Sequence, residues 1–331
     1  MKSVLQIGFG PLGIQTAKFI AQKQEVQTVA VVDINERLIG KNLNNVDGAL
    51  TNQAKIFGSI KSAIDELKYH PDVAIITTVS SLKKLIPQIE EVAKFRIPII
   101  STCEELSYPW DLQPELSLQL DSICKKNGIA CLGTGVNPGF LMDYLPSVMS
   151  SICKKMDKIT VERIQDASVR RIPFQKKIGA GLDLEAFRKK EAEGTLRHVG
   201  LKESVYLLAN SIGLKLDRIT ESLEPVIAKQ DVASDAINVL KGEARGVVQI
   251  ANGYINGDCK IKMHFKAAIG EPRSFDRISI EGTPNFSSEI DGGINGDIAT
   301  CAITINSINS MLKAKPGLHT MADISVPGFI N

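Results

Sequence analysis

Val4-Leu5-Gln6-Ile7-Gly8-Phe9-Gly10-Pro11-Leu12-Gly13 is the stretch that decides the fold. A short, largely apolar run at 4–7 reads as a strand. Gly-x-Gly-x-x-Gly follows at once, and a helical pattern runs from Pro11 to about Lys23. A second apolar run, 29–32, ends in Asp33, about 20 positions beyond the glycines. Each residue type has a physical task. Gly8 permits the tight turn out of the strand, Gly10 lets backbone approach a pyrophosphate, and Gly13 lets the helix pack close to the sheet. Pro11 suits a first helical turn, because its missing N–H costs nothing there. The free N–H groups around Leu12 and Gly13 then face the phosphates. Asp33 can accept hydrogen bonds from ribose hydroxyls and repels a 2′-phosphate, which favours NAD. Arg37 and Lys41 lie nearby and leave NADP open.

Working outward, strands at 4–7, 26–32, 55–57, 72–77, 97–101 and 129–132 alternate with helical patterns at 11–23, 59–69, 82–95 and 114–127. Continuous apolar strands such as Val73-Ala74-Ile75-Ile76 imply burial on both faces and hence a parallel sheet. The expectation is an α/β fold, a Rossmann-type doubly wound sheet in strand order 3-2-1-4-5-6, with ligands beyond the carboxyl ends of the strands. That placement puts Thr78, Val79, Ser80, Thr102, Cys103 and Asn137 among the cofactor contacts. After residue 142 the rhythm changes. Strands at 158–167, 219–228, 244–254, 260–268 and 276–281, helices at 183–193 and 201–212, and a loop at 168–181 describe a second, α+β domain. The expected division is 1–142 for the dinucleotide-binding domain and 143–296 for a substrate and dimerisation domain. A final helix at 297–313 and a tail to 331 should return to the first domain.

Composition narrows the function. The chain has 331 residues, 44% hydrophobic and 23% charged, with a net charge of +2. No basic cluster interleaved with aromatics suggests a nucleic-acid partner. No apolar run approaches the ~18 residues of a membrane span, and no leader peptide is evident. Six spread cysteines without C-x-x-C pairs, and four histidines without ligand spacing, argue against a metal site or a disulfide framework. A reducing cytoplasm is the expected compartment.

Three stretches carry chemistry. Ser101-Thr102-Cys103-Glu104-Glu105-Leu106 follows an apolar strand, and a carboxylate there can act as general base or hold a substrate ammonium. It can equally be a helix start, where acidic residues are favourable. Cys103 would be a nucleophile candidate in an aldehyde dehydrogenase, but no partner histidine can be placed from sequence, and Trp110 could wall a pocket. Gly133-Thr134-Gly135-Val136-Asn137-Pro138-Gly139 offers glycines for close ligand approach and an Asn137 amide that both donates and accepts; it can also be a hinge between domains. The third stretch, 163–177, is rich in Arg and Lys. Arg170, Arg171 and Gln175 are candidates for binding a substrate carboxylate, against the alternative of a solvated surface; His198 further on could be polar substrate lining, against a structural role.

On residues 8–13, 78–81, 101–110, 133–142, 166–181, 198–204 and 317–328 the chain resembles the family of 2,4-diaminopentanoate dehydrogenases and native amine dehydrogenases. The N-terminal domain of that family is similar to dihydrodipicolinate reductase. The resemblance implies oxidative deamination of an amine with NAD or NADP, a catalytic glutamate at Glu104, and a homodimer formed through the second domain. The double-histidine signature of dihydrodipicolinate reductase has no counterpart. Nor does the Glu-Lys-Pro signature of inositol- and glucose-type dehydrogenases, since Glu105 and Leu106 follow Glu104. The resulting expectation is an NAD(P)-dependent amine dehydrogenase acting on a short diamino acid at the amine distal to its carboxylate. An imine or carbonyl reductase that releases no ammonia and a non-catalytic NAD-binding sensor are the alternatives.

Overall fold

A computed structural model of the chain describes residues 1–196 and 199–331. The first half alternates strands and helices: β1 (Lys2–Ile7), α1 (Pro11–Ala21), β2 (Val26–Val32), β3 (Lys55–Phe57), α2 (Ile60–Leu67), β4 (Val73–Ile76), α3 (Leu82–Ala93), β5 (Ile99–Ser101), α4 (Pro114–Asn127) and β6 (Ala130–Gly133). Every residue of β4 is fully buried, as an apolar strand covered on both faces must be. Local chemistry sets the helix ends. Ser59 caps α2 by accepting the Ser62 N–H, and α4 opens on Pro114 and stops at Gly128, which is left-handed at φ +68.

The chain continues through α5 (Tyr144–Ser150), β7 (Lys155–Asp166), α6 (Ile172–Lys177), α7 (Leu184–Ala192), α8 (Leu201–Ser211), β8 (Arg218–Ile227), β9 (Val232–Ala233), β10 (Asn238–Val239), β11 (Ala244–Ile255), β12 (Asp258–Ala268), β13 (Phe275–Thr283) and β14 (Phe286–Asp291). It closes with α9 (Gly296–Asn306), α10 (Ile308–Met311) and β15 (Gly317–His319). Two compact units result, one from Met1–Phe140 with Gly296–Asn331, the other from Leu141–Asn295.

In the first unit the parallel sheet runs β15-β6-β5-β4-β1-β2-β3. The expected order is present, extended by a seventh strand. β15 pairs with β6 through Gly317↔Ala130 and Leu318↔Cys131, in a tail that reads from sequence as irregular. The strand order reverses at β1, which pairs with β2 on one side and β4 on the other, so the crevice beside the glycine turn lies at the switch point. The expected single last helix is two. Ser307 stands at the break, and its hydroxyl donates back to the Ile303 carbonyl at 2.7 Å, a bond that bends helices. α9 lies against α1, where Thr16 Oγ1 is 3.5 Å from Cys301 Sγ.

In the second unit six strands form a mixed sheet, β14-β13-β7-β12-β11-β8, with only β7 and β12 parallel. Ile159, Val161, Met263, Val247 and Ala251 pack with Val205 and Leu208 of α8 into its core. The alternate positions Thr160, Glu162, His264 and Arg277 are half-buried on the opposite face. α5, α6 and β14 were not expected from sequence. α6, six residues long with a proline in its first turn, is too short to show a helical period.

Candidate active site

The glycine turn has an unequal geometry. A Cβ on Gly13 would lie 2.1 Å from the Gly8 carbonyl oxygen, and one on Gly8 would lie 2.8 Å from the Thr78 methyl. Close packing within the protein therefore requires both glycines. A Cβ on Gly10 would meet nothing within 4 Å. Open space over backbone is what an approaching phosphate needs. Gly10 is also the N-cap of α1 and offers no side-chain cap, and Pro11 occupies the first turn. The N–H groups there are left to a ligand. The residues present fit a dinucleotide pyrophosphate. Asp33 stands half-buried at the end of β2, and its two oxygens accept the Phe9 N–H at 2.6 Å and the Asn35 N–H at 2.8 Å.

Beyond β5, Glu104 and Glu105 open a 3₁₀ turn, as the first-turn reading of these carboxylates anticipates. Their positions differ in consequence. Glu105 Oε2 accepts the Leu82 N–H at 2.8 Å and the Gln113 amide at 3.0 Å, so it caps the start of α3. Glu104 is half-buried on the same turn. Cys103 is 1% exposed and belongs to the main core cluster. Burial, with the Glu104 carboxylate adding to it, pushes its thiol far above the usual range. The nucleophile reading of Cys103 is corrected accordingly, since a thiolate is the reactive form; its thiol likewise faces the core rather than a cofactor.

Beyond β6 the segment bearing Asn137 lies next to the β5 segment, with the Thr134 N–H on the Ser101 carbonyl at 3.0 Å. Among the described residues, the buried side-chain polar atoms without a partner are Ser107 Oγ, Thr134 Oγ1 and both amide atoms of Asn137. All four fall in these two strand-end segments. Orphaned polar atoms are costly and rare, so these two segments form the candidate site. Ser107 and Thr134 were missed from sequence, where a serine and a threonine carry no signal of being unpaired. The glycines of this segment serve the protein itself: a Cβ on Gly133 would sit 2.4 Å from the Leu106 carbonyl oxygen, and one on Gly139 2.7 Å from the Gly135 nitrogen. Close ligand approach is not what requires them.

The remaining first-unit positions divide. Thr78 is exposed and donates to Gln88 Oε1 at 2.7 Å; Val79 packs half-buried on the core; the Ser80 carbonyl accepts the Glu105 N–H; the Thr102 N–H reaches the Ile76 carbonyl. Trp110 borders an open surface depression with Asp121, Lys125 and His319, which none of the candidate site residues line.

In the second unit Arg163 belongs to the strand expected at 158–167. It lies buried within β7, bonded to Asp276 and to the Ile294 carbonyl. Burial pushes its guanidinium down from the usual range against the pull of Asp276, and Arg170 adds to the push. Arg170 is half-buried, donates to Gln165 Oε1 at 2.9 Å and stacks 4.0 Å over the Phe174 ring. Arg171 is exposed at the start of α6. Gln175 does not face solvent. It is 2% exposed, donates to the Arg170 and Ser168 carbonyls and accepts from Ser234, so it holds the Arg170 backbone from behind. His198 lies outside the described residues. Among the described residues, no group of three or more His, Cys, Asp or Glu side chains could hold a metal, and no helix is long and apolar enough to cross a membrane.

A doubly wound sheet with an open glycine turn, joined in one chain to a mixed-sheet unit, is the architecture of a dinucleotide-binding protein. Comparison with known proteins refines the class. A family model described as the 2,4-diaminopentanoate dehydrogenase C-terminal domain matches residues 140–331. A second, described as a CoA binding domain, matches residues 1–101. CoA and the nicotinamide dinucleotides share an adenosine diphosphate, and the matched residues hold the glycine turn and Asp33. The chain is 32% identical to 2,4-diaminopentanoate dehydrogenase of Acetoanaerobium sticklandii, over 98% of this chain and 93% of that one. Its fold is that of amine dehydrogenase from Mycobacterium smegmatis, with TM-score 0.87 at 21% identity, covering 99% and 97% of the two chains. GenD2 from gentamicin A biosynthesis, solved in complex with NAD, matches with TM-score 0.55 at 14% identity, covering 97% and 89%. The chain belongs to the 2,4-diaminopentanoate dehydrogenase family, whose named members are dehydrogenases acting on amines.

Proposed function

We propose that this protein oxidatively deaminates a short diamino acid, 2,4-diaminopentanoate being the best candidate, at the amine distal to the carboxylate, and that it uses NAD at least as well as NADP. The observation that carries the reading is the unpartnered Asn137 amide on the segment beside the one that bears Glu104. A bound nicotinamide supplies the hydride acceptor. Glu104 takes a proton from the substrate ammonium, which frees the nitrogen lone pair to expel hydride from the amine-bearing carbon. Water then adds to the imine carbon, and ammonia leaves a ketone. Asn137 orients a carboxamide or an amine through its donor and its acceptor. Asp33 supports the preference for NAD, because a fixed carboxylate repels a 2′-phosphate.

Of the two arginines expected to meet a carboxylate, Arg170 is the better held for binding an anion. Its guanidinium is held by Gln165 and Phe174 and its backbone by Gln175, so little freedom is lost on binding an anion. Dimerisation through the second unit's sheet and a cytoplasmic setting, supported by six free thiols, complete the proposal. A panel of diamino acids and alkylamines with NAD and NADP, read as reduced-cofactor absorbance and ammonia release, tests it. Diamino acids should outperform alkylamines, and ammonia should match the reduced cofactor. Turnover without ammonia would indicate a reductase, binding without turnover a sensor, and better turnover of alkylamines would overturn the diamino-acid reading.

A further inference from the structure

Asp33 does more than stand where a ribose would be read. Its Oδ2 accepts the N–H of Phe9, the residue between Gly8 and the open Gly10, at 2.6 Å, and its Oδ1 accepts the Asn35 N–H at 2.8 Å. The Phe9 ring is 2% exposed and packs with Ala17, Val31, Leu43 and Ile56. The Gly8 N–H is held by the Val32 carbonyl at 2.8 Å. The glycine turn is therefore pinned by its backbone at Gly8, by its ring at Phe9, and by a carboxylate at the Phe9 amide. Gly10 follows directly, at the position with room above it. Each carboxylate oxygen has a second lone pair, which remains for a ribose hydroxyl.

We infer that Asp33 is a positioning residue for the pyrophosphate-binding turn as well as the acceptor for the adenosine ribose, so that one carboxylate couples the two halves of cofactor recognition. The inference rests on the dinucleotide reading above. It reverses the usual expectation for this position. If Asp33 only read the ribose, Asp33→Ser would remove a negative charge near a polyanion and strengthen pyrophosphate and NADP binding. If it also latches the turn, Asp33→Ser releases the Phe9 amide and weakens NAD, NADP and inorganic pyrophosphate alike. Asp33→Asn removes the charge but keeps one oxygen that can hold Phe9.

The test uses the full chain. Hydrogen exchange at the Phe9 amide is measured without nucleotide, and inorganic pyrophosphate, NAD and NADP are titrated by calorimetry. The Phe9 amide should be protected in the wild type. Asp33→Ser should accelerate its exchange about tenfold or more, the order expected for losing a hydrogen bond to a charged acceptor, and should weaken pyrophosphate binding. Asp33→Asn should keep protection within a few-fold of wild type and favour NADP relative to NAD. Unchanged Phe9 exchange, or tighter pyrophosphate binding, in Asp33→Ser would overturn the latch. Failure of the wild type to bind either dinucleotide would instead overturn the dinucleotide reading and the ribose half of the inference; Phe9 exchange would still judge the latch.

Discussion

Glu105 accepts the backbone N–H of Leu82 at 2.8 Å across 23 residues of sequence, which makes the second of two adjacent carboxylates a helix cap. Its oxygen also takes the Gln113 amide. Glu105→Ala should thus lower stability by about 1–2 kcal/mol, in the range for losing a helix N-cap. Denaturant unfolding measures this. A variant as stable as the wild type would show that the cap contributes nothing.

Glu104 should behave differently. Glu104→Gln should fold and bind reduced cofactor while losing ~10²–10⁴-fold in kcat, the usual contribution of a general acid–base group. Cofactor titration beside steady-state turnover separates binding from chemistry. Near-wild-type turnover would remove the proposed role.

Asn137→Leu offers a sign test of the site. Replacing an unsatisfied buried amide with an apolar side chain of similar size is neutral or stabilising. The free protein should melt at the same temperature as the wild type or higher, while kcat/KM falls at least about tenfold. A clear drop in melting temperature would mean that the amide has a structural partner.

Arg163 and Asp276 form a buried pair. Asp276→Ala should cost roughly 3–5 kcal/mol, because it leaves a buried guanidinium without its counter-charge. Combining Arg163→Met with Asp276→Leu should recover much of that loss. Chemical denaturation of both variants decides it, and equal losses would contradict the pairing argument.

His264 titrates below the ordinary imidazole value because of burial, which outweighs the pull of the nearby Glu162 carboxylate. The unfolded chain therefore binds the proton more readily than the folded one. His264's contribution is present above about pH 6.5 and is lost as pH falls from there through the folded-state value. His264→Asn should flatten the fall in melting temperature between neutral and mildly acidic pH. An unchanged slope would assign that fall to other groups.

The sequence by itself determined the first six strands of the first unit. Continuous apolar strands, the glycine turn and Asp33 are local signals, each with one inexpensive structural solution, and they fixed six strands in their order. Glu104 and Asn137 could be nominated from sequence because they follow strands in that frame. The tertiary structure alone decided the rest. β15 is three residues long and is a strand only because β6 lies beside it. Glu105 became a cap, Cys103 a core residue and Gln175 a brace for Arg170 through partners far away in sequence or burial that composition does not encode. The orphaned state of Ser107, Thr134 and Asn137 is likewise invisible in sequence, since whether a polar atom lacks a partner depends on everything folded around it.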